Sequence, residues 1–143
     1  MTRASGRVLY IAASVTYAGL LTWASLLPMT GHVGAGTMEV VRRWVLNLLH
    51  VPAYAVLGFL FCRAMTGRAG LNHVRLVAAG VSAVVLGVVI ELLQARVPGR
   101  YPDFIDGSLN TVGVVVALWW VWRRNRDKAG VGPARAELGR STS

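Results

Sequence analysis

The sequence predicts an all-α fold, a bundle of four transmembrane helices with both termini in the cytoplasm. Three observations predict it. Four uninterrupted apolar runs divide the 143 residues, each about 20 residues long, the length that spans the hydrocarbon core of a bilayer. The composition agrees, at 55% hydrophobic residues with a mean hydropathy of +0.52. The formal charge of +9 sits in short segments between and after the apolar runs, which is the membrane pattern. A basic balance often points to nucleic acid, because Lys and Arg neutralise phosphates. Basic residues confined to the ends of apolar runs argue against that, and no nucleic-acid partner is predicted.

The first span is placed at Val8 to Leu27, opened by Arg3 and Arg7. A signal peptide also starts with a basic stretch, but its apolar region is only about 7–15 residues; this run is longer and further spans follow, so it is read as a retained helix. Pro28 to Arg43 form a polar loop with Gly31, Gly34 and Gly36. The second span runs from Trp44 to Met65, and the short basic connection that follows carries Arg63, Arg68 and Arg75. The third covers Val74 to Leu93, after which Val97-Pro98-Gly99-Arg100-Tyr101-Pro102-Asp103 turns the chain. The fourth, Phe104 to Trp122, ends in Trp119, Trp120 and Trp122 and runs into Arg123-Arg124-Asn125-Arg126. Aromatic residues followed by basic ones mark a cytoplasmic interface.

Orientation follows from the basic residues. Eleven of the fifteen Lys and Arg fall in the N-terminus, the second connection and the tail, which places these three in the cytoplasm. Residues 1–122 thus form the transmembrane domain. Residues 123–143 form a basic tail, Gly-, Ala-, Arg- and Ser-rich without a period, for which disorder is expected. Cys62 is the single cysteine, so neither an internal disulfide nor a cysteine metal site can form; a small buried hydrophobe is its simplest role.

Polar residues inside the spans carry the functional information, since a charge at mid-bilayer costs about 2.5–3.5 kcal/mol on insertion scales. In the second span Asn47, His50 and Tyr54 lie near the start. In the third, Glu91 and Gln94 lie near the finish. In the fourth, Asp103, Asp106 and Asn110 lie at the start. With the topology above, all three sets fall in the outer leaflet. Their spacings of three and four residues put each set on one helical face. Ala79, Ala83 and Gly87 continue the stripe behind Glu91, and rows of small residues let membrane helices approach closely. The face that bears Glu91 is therefore expected to be the buried one. Simpler roles remain open: Asp103 after Pro102 fits an N-cap, Asp106 an acidic first turn, Gln94 an interfacial residue, and Asn110 and Tyr54 interhelical hydrogen bonds. Glu91, about a turn inside its span, demands a partner, a proton or a function.

The order of these residues resembles the VanZ-like family of small membrane proteins. The matching elements are His50-x3-Tyr54-x3-Gly58, then Glu91-x2-Gln94-x3-Pro98-Gly99-Arg100, then Asp103-x2-Asp106-x3-Asn110-x2-Gly113. Members often carry an acidic residue and a lysine just before the histidine, where this chain has Leu46 and Asn47, so a lysine contact to an anion is not carried over. The resemblance implies a role at the cell envelope of a bacterial inner or plasma membrane. The family's namesake is associated with resistance to the glycopeptide teicoplanin, and no reaction comes with that association.

Two function classes follow. In the first, the polar site binds or modifies a lipid-linked or anionic cell-wall component: Glu91 or His50 acts as general base, Arg100 holds a phosphate or carboxylate, and Asp103, Asp106, Asn110, Gln94 and Tyr54 complete the binding set. In the second, the protein is a structural or regulatory membrane partner whose polar residues only fix helix packing. A transporter is disfavoured, since the cytoplasmic half has no matching polar path and paired Gly/Pro helix breaks are missing. His50, Glu91, Asp103 and Asp106 offer donors for a divalent ion, but one histidine with scattered carboxylates does not define a metal site, and none is assigned. Membrane lipids are expected partners; the residues name no cofactor and no oligomeric state.

Overall fold

The computed structural model describes the backbone of residues 3–27, 37–66, 70–98 and 104–140, with side chains over 6–27, 41, 44–66, 70–98 and 104–127. Four helices account for almost all of it: α1 (Arg3–Leu26), α2 (Thr37–Thr66), α3 (His73–Gln94) and α4 (Phe104–Arg140). Four stretches are long and apolar enough to cross a membrane: Gly6–Leu26, Trp44–Thr66, His73–Gln94 and Phe104–Asp127. The expected spans and these stretches coincide to within a few residues, because apolar length alone decides them.

Two helices run further than their apolar cores. α2 begins at Thr37, inside the segment expected to be a loop as far as Arg43. No glycine or proline interrupts Thr37-Met38-Glu39-Val40-Val41-Arg42-Arg43, so a helix entering from Trp44 extends at low cost once nucleated. α4 likewise keeps its helical backbone past Trp122 to Arg140, into the basic tail. The boundary at Trp122 is a change of composition, and the helix carries through it. Ala, Arg, Lys and Glu in this stretch favour helix, whereas Gly130, Gly132, Pro133 and Gly139 oppose it, so propensity alone does not account for the extension.

The bundle is organised around α2, which packs on α1, α3 and α4; its contact with α4 is the most extensive. α1 touches α2 and α3. Its outer face, with Val8, Leu9, Ile11, Val15 and Leu20, is exposed, as are Val77, Val81, Val85 and Val88 of α3. An exterior this apolar is the lipid-facing surface of a membrane protein, and in water it would aggregate. Buried positions are small or few: Tyr54, Leu57, Ala83 and Val114 form the central cluster, with Tyr17, Ala18 and Leu21 of α1 against it. Lipid tails are as apolar as leucine, so close packing holds such helices together.

Close packing is visible at the glycines. A Cβ on Gly58 would sit 3.4 Å from the Val114 Cα, and one on Gly113 would collide with the Val51 carbonyl oxygen. α2 and α4 therefore meet backbone to backbone. The expected buried stripe of α3 is observed too: Ala79, Gly80, Ala83, Gly87, Ile90 and Gln94 are all buried. Several serine and threonine hydroxyls inside the spans are satisfied by their own helices. Ser14 donates to the Tyr10 carbonyl at 2.7 Å, and Thr22 to that of Ala18 at 2.8 Å, which removes an unpaired donor from the bilayer interior.

Candidate functional site between the second, third and fourth helices

Tyr54 is the centre of the site. It is 1% exposed, and the Gly87 position on α3 faces its ring: a Cβ there would lie 3.0 Å from Cε1 of Tyr54 and 3.5 Å from Nδ2 of Asn110. Three helices thus meet at one point, and only a glycine leaves room for a phenol and an amide side by side. Glu91 follows Gly87 by one turn, is half-buried, makes interactions of its own, and lies within electrostatic range of the Tyr54 phenol.

On α4, Asn110 is buried, and its Oδ1 has no hydrogen-bond partner among the described residues. One turn earlier stands Asp106, half-buried and, like Glu91, with interactions of its own. A buried carbonyl oxygen left without a donor costs about 1–3 kcal/mol. His50 precedes Tyr54 by one turn on α2. Its Nδ1 lies 3.2 Å from the Leu46 carbonyl and 3.1 Å from that of Asn47. Carbonyls only accept, so this geometry puts the proton on Nδ1 and leaves Nε2 as the basic nitrogen.

Gln94 has a different role from the others. Its Nε2 donates to the Ser25 carbonyl at 2.9 Å, and Ser25 lies in the last turn of α1, where carbonyls have no partner within their own helix. Gln94 caps α1 from α3. Gln94→Ala is expected to lower stability by about 1–2 kcal/mol, the cost of a buried carbonyl left unmatched. Thermal unfolding in detergent checks it, and an unchanged midpoint would mean the cap carries no weight.

Sequence reasoning missed Tyr17. Its hydroxyl donates to the Ala53 carbonyl at 3.1 Å, next to Tyr54, and brings α1 to the rim of the site. A signal existed, since Ser14, Tyr17 and Leu21 share one helical face. Arg100 and Asp103, both expected in the site, lie outside the described residues. Among the described residues no three His, Cys, Asp or Glu side chains gather as a metal site would require.

The two ends of the bundle differ in charge. Glu91 and Asp106 lie toward the end where α3 finishes and α4 begins; Arg63, Arg123, Arg124 and Arg126 lie toward the opposite end. Fold and site together define a membrane protein of four helices with a polar cluster buried between three of them. The chain belongs to the VanZ/LLP1 family, whose model matches residues 9–124, a stretch that contains the whole cluster. No curated protein and no solved structure matches the chain.

Proposed function

We propose that this protein is a cell-envelope membrane protein of a bacterial inner or plasma membrane, whose outward-facing polar site binds or modifies a lipid-linked or anionic envelope component and bears on teicoplanin resistance. The observation that carries the reading is the convergence of Tyr54, Gly87 and Asn110 inside an apolar bundle, with Glu91 one turn further along α3. Polar groups there are expensive and mark function by default. Asn110 Oδ1 supplies an acceptor for a ligand hydroxyl or amide, and Arg100 and Asp103 complete the binding set. Where the site turns its ligand over, Glu91 or Nε2 of His50 supplies the base. Membership of the VanZ/LLP1 family supports the envelope role.

The test is expression of the chain in a teicoplanin-sensitive Gram-positive host beside an empty vector. Raised resistance with the chain is the expected result; identical susceptibility removes the resistance link. Topology has its own test. In a Cys62→Ala background, a cysteine at Ala95 should react with an impermeant thiol reagent in intact cells, and one at His73 should not. The reverse labelling would put the site on the cytoplasmic side.

The packing role of Gln94 favours a second reading, a structural membrane partner, for that residue alone. Under it, Gln94→Ala lowers the amount of folded protein and resistance falls only in proportion.

A further inference from the structure

At the end of the bundle opposite the polar cluster, a cleft of about 360 Å³ opens between α2, the segment after it and α4. Phe59 and Trp120 line it, in edge-to-face contact with ring centres 6.0 Å apart. Arg63, Gly70, Arg124 and Asn125 line it as well. Arg63 is in the last turn of α2, and Arg124 is near the end of the fourth apolar stretch, so the cleft lies where the bundle meets the membrane surface. A second cleft, of about 530 Å³, shares Leu71 and Asn125 with it and adds Arg126.

Among the described residues no carboxylate lines either cleft, so the charge these residues present there is positive. Both arginines of the first cleft are already oriented. Arg63 lies over the Tyr10 ring at 5.0 Å and Arg124 over that of Trp120 at 4.4 Å. A ring that holds a guanidinium by its charge takes up none of its N–H donors, which can grip a phosphate bidentately. The aromatic wall beside these cations suits the glycerol and first methylenes of a lipid, for which a free phosphate ion has no use.

We infer that this cleft is a binding site for the phosphate headgroup of an anionic phospholipid, with Arg63 and Arg124 as its phosphate-binding residues. The site is separate from the polar cluster and stands whether or not that cluster has the function proposed for it. Sitting at the basic end, it fits the anionic leaflet to which such residues are drawn.

The test is native mass spectrometry of the full chain in neutral detergent with equimolar phosphatidylglycerol and phosphatidylcholine. The native protein is expected to retain phosphatidylglycerol at least fivefold over phosphatidylcholine. Arg63→Gln with Arg124→Gln should abolish that preference, and Arg96→Gln, at the other end of the bundle, should leave it intact. Equal retention of the two lipids by the native protein overturns the inference. So does a preference that survives the double variant, or one that Arg96→Gln removes equally, which would reduce it to net charge. Glycerol phosphate serves as the soluble competitor; displacement of the lipid at equal concentration would make this a site for free phosphate esters and overturn it too. Should the double Gln variant fail to fold, Arg63→Lys with Arg124→Lys replaces it. Keeping the charge without the planar fork, that pair should lower the preference at least threefold, and no change overturns the assignment.

Discussion

Gly113→Ala is expected to destabilise the protein by an amount at or above the upper end of the about 1–3 kcal/mol typical of overpacking, and Gly113→Leu to abolish folded protein. A Cβ on Gly113 would collide with the Val51 carbonyl oxygen and sit 3.0 Å from the Ala55 nitrogen. Both obstacles are backbone, which cannot rotate away as a side chain does, so α2 and α4 must separate along their most extensive contact. The damage reaches the site, because Tyr54 lies between Val51 and Ala55, and Asn110 is one turn from Gly113. Gly107 provides the contrast on the same helix. Nothing lies within 4 Å of a Cβ placed there, so Gly107→Ala should be neutral, or stabilising by up to about 1 kcal/mol through helix propensity alone. Thermal unfolding followed by circular dichroism in detergent separates the two. Equal midpoints for both alanine variants would show that the α2–α4 contact is looser than described.

How much of this was legible beforehand depended on whether a feature is local. Apolar length predicted the four spans, and the three-to-four spacing of Ala79, Ala83 and Gly87 predicted the buried face of α3. The meeting of Tyr54 and Asn110 across Gly87 was legible as well, since each sits at a definable depth on one face of its helix. The bond from Gln94 to Ser25 was not, because it joins residues 69 positions apart and depends on where α1 ends relative to α3. Nor was the role of Tyr17, whose shared face with Ser14 and Leu21 gives no partner until Ala53 is placed beside it. Gly113 and Gly58 were visible only as members of a motif; that they are points of helix contact emerges from three-dimensional packing. The early start of α2 and the continuation of α4 past Trp122 escaped for another reason. Hydropathy marks where a helix enters lipid and is silent on where its hydrogen bonding stops.

Glu91→Gln is expected to remove function while leaving the protein folded. Gln has nearly the same shape and keeps hydrogen-bonding capacity, so the contacts around Gly87 and Tyr54 survive. It also removes a carboxylate from a half-buried position in a bundle where charge is costly, so the level of folded protein should hold or rise. What it eliminates is the negative charge and the ability to take up a proton. If Glu91 works as a base, its loss lowers turnover by about 10²–10⁴-fold; if it accepts from a hydroxyl or amide of the ligand, a charge-assisted bond of about 1.5–3 kcal/mol is weakened. Either is enough to erase a resistance phenotype. A purely structural Glu91 would instead show itself as a shifted unfolding midpoint and a lower membrane level, with activity per molecule unchanged.

The direct measurement is therefore teicoplanin susceptibility in one sensitive Gram-positive host carrying empty vector, the native chain or its Glu91→Gln variant, with membrane levels matched. Protection by the native chain and not by the variant is the predicted result, and it would tie an envelope function to the cluster of Tyr54, Glu91 and Asn110. Equal protection by both, or by neither, would contradict the claim that this cluster is a functional site for envelope resistance.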